Sequence, residues 1–434
     1  MPKNVIPMPR GAGHADAEDQ CQRRQGSSQS EGRQSAPDWT DELKCDDEGR
    51  ILPILLNHIL YLRHDPEWKD GVVAYDEFSA RVVIRSRPPW GEEKPDTHWD
   101  DKHETLTRIW FQRKDINAGS GDVGRAVQAA ARYNPFHPVR EYLDALHWDG
   151  TPRLDTCLVT YFHAQDSEYI RAVGPRFLIS AVARVCQPGC QVDHMLVLEG
   201  PQGKQKSQSL RTLAIKDEWF SDRLSHMASK DAAIEVAGVW LFEIAEMDAL
   251  MRASSSTAKA YLTRRHDRFR PPYGKHTTNL PRQCVFAGTI NPPVGGYLKD
   301  LTGARRFWPV ACHGMIDSAG IERDRDQLWA EAVVRYRAGA PWWLETPELE
   351  ALATAEQSAR LVTDPWIHPV KQWLRDRNDV TLSEVLHGAL GIKPPDQSHS
   401  AEIRVVKVLT AMGFERYLGR TGTRRHKRYR RARP

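Results

Sequence analysis

The first 48 residues are rich in Gln, Ser, Gly, Asp and Arg and carry few large apolar side chains. Such a stretch cannot bury enough surface to offset chain entropy, so residues 1–48 are expected to be disordered. From Ile51 the pattern changes. ILPILLNHILYLRH predicts a helix, and VVAYDEFSARVVIRS alternates as two short strands around a turn. A helical, loop-rich region follows to about Asp155, where the Asn134-Pro135 and His137-Pro138 steps end one helix before the next begins at Val139. Helix continues through YIRAVGPRFLISAVARVC. Then MLVLEG, VWLFEIAE and CVFAGTIN are short apolar runs, each closing on polar or charged residues. Unbroken runs of that length suit strands buried on both faces of a sheet. No unit repeats at a fixed period.

Toward the C-terminus a smaller pattern emerges. WIHPVKQWLRDRN is amphipathic, Thr381 and Glu384 have capping-box spacing before VLHGALG, and SAEIRVVKVLTAMGF reads as a helix ended by Gly413. FERYLGRTGTRRHKRYRR suggests a hairpin about a Thr-Gly-Thr turn. Three helices and a basic hairpin fit a winged helix, with Arg404, Lys407, Arg424 and Arg425 near phosphates. A helical bundle followed by a disordered tail fits the same letters.

Length and charge narrow the classes. At 434 residues the chain has room for two or three domains. Its net charge of +4 says little about partners, but no acid follows Glu415, and the last fifteen or so positions are densely basic. Seven scattered cysteines argue against a disulfide framework and for a reducing cytoplasm. Cys186 and Cys190 lie close together without two further soft ligands at matching spacing, so no metal centre is expected of them. The start has no apolar core after its lysine, unlike a signal peptide, and no run of about eighteen apolar residues suggests a membrane span.

Candidate chemistry begins where the first of the three buried runs ends. Residues 200–208 read GPQGKQKSQ, against the phosphate-loop form G-x-x-x-x-G-K-[ST]. Gly200, Pro201, Gln202, Gly203, Lys204, Gln205, Lys206 and Ser207 would form the loop, with Gln205 where the second glycine belongs. A strand before it and a helix after it are the context in which phosphates sit on helix-terminal amides. Loop length and the adjacent Ser207 select Lys206 over Lys204 as the phosphate lysine. Gln205 must then place a Cβ in a conformation usually given to glycine. Glu243 ends the next apolar run 37 residues after Lys206, with Glu246 and Asp248 just beyond. A nucleotide hydrolase needs one carboxylate for Mg²⁺ and one to polarise water. Glu243 suits the first role and Glu246 the second, though they could exchange. Asn291 closes the third run and could orient the water or sense the γ-phosphate. Arg305 and Arg306 could meet charge building on a transferred phosphoryl group from a neighbouring subunit. Between the second and third runs, Arg264, Arg265, Arg268, Arg270 and Lys275 crowd around Tyr273, a mixture suited to gripping a single strand. A solvated basic face or a subunit contact accounts for them equally well.

From NPFHPVREYLDALHWDGTPRLD through LEGPQGKQKS, GVWLFEIAEMDAL, LTRRHDRFRPPYGKH, PRQCVFAGTIN and LTGARRFWPV to QLWAEAVVRYRAGAPWWL, the chain resembles the virulence-associated E family. These are phage and mobile-element P-loop proteins related to superfamily 3 helicases. The resemblance covers roughly residues 100–345. It implies an α/β fold: a P-loop NTPase core of the AAA+ or superfamily 3 helicase type, with a helical N-terminal region and a small winged-helix-like C-terminal domain. With the residue patterns above, the expected division is 1–48 disordered, 49–155 N-terminal region, 156–345 ATPase, and 365–434 DNA-binding domain with a basic tail. The resemblance further implies ATP and Mg²⁺, single-stranded or forked DNA, and a homo-oligomeric ring, a hexamer. Lys206 and Ser207 would take the Walker A role, Glu243 with Glu246 the Walker B role, Asn291 the sensor, and Arg305 or Arg306 the arginine finger. The primase that many relatives carry finds no room before residue 100, so a separate primase is an expected partner. Two other functions fit less of the pattern: a nucleotide-binding DNA-recognition protein that hydrolyses little, favoured by Gln205, and a small-molecule kinase, opposed by the basic tail.

Overall fold

A computed structural model describes residues 38–225, 227, 229, 231–247, 250, 255–269, 277–293, 296–298, 304–362, 364–421 and 424–431. They divide into two compact units, one of residues up to Ile290 with Trp308–Glu350, the other of Asn291–Phe307 with Ala351–Pro434. Among the described residues no helix is long and apolar enough to cross a membrane.

In the first unit residues 38–48 are ordered, which corrects the disorder expected of them. Asp38 caps the short turn Trp39–Glu42, Leu43 is buried, and Cys45 bridges Ile51. The cause is a contact that composition does not reveal: Trp39 packs edge-on against Tyr61, ring centroids 5.1 Å apart. The rest of that stretch, residues 1–37, lies outside the described residues. The predicted helix spans Leu55–His64, and the alternating segment forms β1 (Val73–Asp76) and β2 (Arg81–Ile84), paired antiparallel. With β3 (Thr97–His98) and β4 (Pro135–Phe136) they make a sheet in the order β3-β2-β1-β4. Trp68, Val73, Val82, Phe111 and Val127 lie in the core it shares with helices Asp101–Arg113 and Ser120–Ala131. The next helix begins at Pro138, one residue earlier than expected. Proline has no N–H to lose at a first helical position, and the His137 ring accepts the Arg140 amide at 3.2 Å.

The larger sheet contains β5 (Met195–Glu199), β6 (Phe220–Ser221) and β7 (Leu241–Ile244). A separate antiparallel hairpin, β8 (His266–Phe269) with β9 (Thr278–Pro281), precedes β10 (Val285–Ile290) and β11 (Phe307–Ala311). Strand order is β11-β5-β10-β7-β6, and β5, β10, β7 and β6 run parallel. Every residue of β5, β7 and β10 is buried, which is why the sequence shows apolar runs without alternation. The helix Glu168–Cys186 is likewise buried on most of its surface. The order has a chemical consequence, because ligands of such sheets bind at the carboxyl ends of the strands. Strands β5 and β7 are not neighbours; β10 lies between them.

The second unit is built from helix Ile367–Trp373, β12 (Asp379–Val380), helices Leu382–Leu390 and His399–Ala411, and the hairpin of β13 (Phe414–Thr421) with β14 (Arg424–Arg431). Its sheet has the order β12-β14-β13. The Thr381–Glu384 capping box forms, with the Thr381 amide donating to Glu384 Oε2 at 2.7 Å. Gly413, at φ 78°, turns the chain out of the last helix into the hairpin. Val370, Leu386, Val405, Leu409, Phe414 and Tyr429 close the core. Gly422 and Thr423 of the expected turn lie outside the described residues.

Candidate active site

The loop after β5 is held from both sides. The Gly200 amide donates to Ile290 O at 3.1 Å, and the Cys312 amide to Glu199 O at 2.8 Å. A Cβ on Gly200 would lie 3.1 Å from Cys312 O, so the loop leaves the sheet through a gap that only glycine fits easily. Gln205 has φ 64° and ψ 25°, immediately before helix Lys206–Leu213. The backbone thus adopts at Gln205 the left-handed geometry that the motif gives to glycine, at a strain of about 1–2 kcal/mol. Lys206 is 7% exposed, and its Nζ donates to Gly200 O at 2.7 Å and Pro201 O at 2.9 Å. The ammonium is curled into its own loop, where carbonyls stand in for a phosphate. Pro201, Gln202 and Gly203 are exposed around it; Lys204 is half-buried, its carbonyl accepting from the Ile316 amide at 3.3 Å.

Ser207 Oγ donates to Glu243 Oε1 at 2.7 Å, and Thr289 Oγ1 donates to the same oxygen at 2.6 Å. The other oxygen, Oε2, is buried with no hydrogen-bond partner among the described residues. Burial pushes the Glu243 carboxyl above its ordinary range, and the two hydroxyl donors oppose that shift without cancelling it. Three strands therefore deliver a loop, a carboxylate and a hydroxyl to one place. An orphaned, desolvated carboxylate oxygen beside a serine hydroxyl fits a hard divalent cation by its donor chemistry.

Glu246 differs in kind. It is exposed, at φ 50° in the short turn Ala245–Met247, and Met247 follows at φ 52°. Two consecutive non-glycine residues in the left-handed region are the sort of strain that gathers at functional sites. The turn is held by packing over β10: a Cβ on Gly288 would fall 2.6 Å from Met247 Sδ. Asp248 lies outside the described residues. Asn291 and Arg305 are exposed and Arg306 half-buried, all three in the second unit.

In the basic interval, Arg264 donates to Asp267 at 3.2 Å and Arg265 to Gly189 O at 2.7 Å, while Arg268 is exposed on β8. Arg270, Tyr273 and Lys275 lie outside the described residues. Sequence reasoning missed the base of this hairpin, where buried Arg282 grips buried Asp267 through two bonds of 2.8 and 2.7 Å. Its signal was that Asp267 is the one acid between Arg264 and Gln283. In the second unit Arg404 is engaged internally: it pairs twice with Asp364 at 2.8 Å and lies 4.1 Å over the Trp366 ring. Lys407 is exposed. Arg424 and Arg425 belong to β14, and their side chains lie outside the described residues.

A family model described as the virulence-associated protein E-like domain matches residues 143–362. No curated protein matches the chain. Among solved structures, the A form apo structure of the NrS-1 C terminal region is similar at 11% identity, covering 83% of this chain and 96% of that one, with a TM-score of 0.47. A second apo structure of the NrS-1 C terminal region has 10% identity, covers 82% and 95%, and has a TM-score of 0.47.

Proposed function

This chain belongs to the virulence-associated protein E-like domain family, and we propose that it is an ATP-dependent DNA helicase or translocase acting in replication of a phage, plasmid or integrated element. The observation that carries this reading is the convergence of Ser207, Glu243 and Thr289 at the carboxyl ends of parallel strands, beside the loop that buries Lys206. The phosphates of ATP take the amides at the start of helix Lys206–Leu213. Lys206 Nζ exchanges the carbonyls of Gly200 and Pro201 for the phosphate oxygens. Ser207 and Glu243 would hold Mg²⁺, which when bound neutralises phosphate charge. Glu246, exposed beyond the strand, polarises the attacking water, a role Glu243 is too enclosed to fill. Asn291 senses the γ-phosphate, and Arg305 or Arg306 reaches the site of a neighbouring subunit in a ring.

DNA is gripped in this reading by the basic segment from Arg264 to Lys275, which joins β8 to β9 in the sequence. The order of elements in the second unit, helix, strand, two helices, then a hairpin on the same sheet, supports a winged helix. Strain at Gln205 favours a second reading, a nucleotide-binding DNA-recognition protein with little turnover. Steady-state ATP hydrolysis with and without single-stranded DNA separates the two. The motor reading predicts DNA-stimulated hydrolysis that falls at least about a hundredfold in Glu246→Gln; wild type without DNA-stimulated hydrolysis establishes the recognition protein instead.

A further inference from the structure

The chain's positive charge is concentrated in the second unit, where residues 365–434 hold fifteen Lys and Arg against six Asp and Glu, although the whole chain nets only +4. The third helix carries two of these cations, Arg404 and Lys407. Helix His399–Ala411 buries Val405, Val408 and Leu409. The opposite arc, at three- and four-residue spacing, turns His399, Ser400, Ile403, Lys407 and Thr410 to solvent. Arg404 beside this arc is occupied by Asp364, which leaves Lys407 as its cation. In the middle stands Ile403, a branched apolar side chain 47% exposed. Exposed cations adjoin the helix on the hairpin, at Arg416, Lys427, Arg430 and Arg431, and others lie elsewhere in the unit at Lys371, Arg375, Arg377 and Lys393. Arg416 and Lys427 share the hairpin face of Phe414 and Tyr429, the two hairpin residues buried in the core.

A helix with a small, mixed outer face and an adjoining strand pair rich in cations matches what duplex DNA asks for. Bases are read by short polar and apolar groups in the major groove, and phosphates are held by cations that carry no sequence information. A single strand would instead ask for aromatic platforms on that arc. The arc carries no Phe, Tyr or Trp, and Tyr417 on the hairpin is tied to Asp379 at 2.5 Å. We propose that the second unit reads double-stranded DNA with the outer face of helix His399–Ala411 in the major groove, Ile403 packing on a thymine C5 methyl while Arg416 and Lys427 hold the flanking phosphates. This rests on the proposal that the chain handles DNA but not on ATP turnover, so it is tested without nucleotide.

The full-length chain is titrated by fluorescence anisotropy with duplexes of about 20 bp, roughly two helical turns, of alternating dA·dT, of dA·dU, which lacks only the methyl, and of dG·dC. Wild type should prefer dA·dT to dA·dU by about fourfold, the worth of one buried methyl. Ile403→Ala should abolish that preference, so that dA·dT and dA·dU bind alike. Arg416→Ala and Lys427→Ala should weaken all three duplexes alike and each lower the salt slope by about one. Equal binding of dA·dT and dA·dU by wild type, or a preference that survives in Ile403→Ala, overturns the proposal. Thymine discrimination without DNA-stimulated hydrolysis sinks the motor and leaves this reading standing; stimulated hydrolysis without discrimination does the reverse.

Discussion

Ser207 Oγ donates to Glu243 Oε1 at 2.7 Å across two strands that do not touch. The intervening β10 fills the gap with Thr289, whose hydroxyl reaches the same oxygen at 2.6 Å. The sheet order therefore sets the site: with β10 inserted between them, the loop after β5 and the acid on β7 are held apart by one strand width and joined by hydroxyls. Among the described residues the carboxylate has two neutral donors and no cation paired with it, an arrangement that costs stability.

Glu243→Gln separates that cost from its use. The folded carboxyl is raised by burial, so the ionised form destabilises the fold above its folded pKa, and the penalty is relieved as pH falls through that value. The amide keeps the shape and still accepts from Ser207 and Thr289. Urea denaturation without nucleotide at pH 7.5 should show the variant as stable as wild type or more so, with the difference shrinking toward acid pH. ATP hydrolysis should fall at least about a hundredfold. A variant clearly less stable at pH 7.5 would mean that the charge is already compensated in the folded chain.

Gln205→Gly addresses the strained loop. A left-handed non-glycine residue costs about 1–2 kcal/mol in the folded state, and glycine's extra unfolded freedom returns roughly half of it. The expected net gain is about 0.5–1 kcal/mol in chemical denaturation, with turnover equal to or above wild type. Slower turnover at unchanged nucleotide affinity would show that the Gln205 side chain itself contributes to hydrolysis.

Two buried histidines tie stability to pH in the opposite sense from Glu243. Burial holds His137 neutral, with a pKa down to about 4, and His194 with a pKa down to about 3. A histidine whose folded pKa is lowered contributes fully above its unfolded value of about 6.5 and loses that contribution as pH falls toward the folded value. Melting temperature should therefore decline steadily from pH 6.5 to 4. His194 stacks on Trp308 at 3.7 Å, and its Nε2 has no hydrogen-bond partner among the described residues. His194→Phe should keep the stack, match wild type at neutral pH and flatten the acid decline; an unchanged acid slope would place the titrating group elsewhere.

Much of the fold was legible because local pattern and tertiary role coincide. The three apolar runs became β5, β7 and β10 since strands buried on both faces need no alternation, and Thr381 and Glu384 closed their capping box within one helical turn. The strained geometry of Gln205 followed from counting loop residues back from Lys206. What stayed hidden depends on partners far along the chain. Thr289 looks like any strand threonine until the sheet order sets it beside Glu243, 46 residues earlier. Arg404 reads as a surface cation, yet Asp364, 40 residues before it, pairs with it. Trp39 orders a polar stretch only because Tyr61 is there to meet it.

The proposed nucleotide site depends on Lys206, in the frame set by Gly200 and Ser207. ATP hydrolysis in the presence of Mg²⁺ and single-stranded DNA should be lost in Lys206→Ala, by at least about a thousandfold for a lysine that meets transition-state charge, and should persist in Lys204→Ala. Hydrolysis that survives in Lys206→Ala, or that is lost in Lys204→Ala alone, contradicts the account.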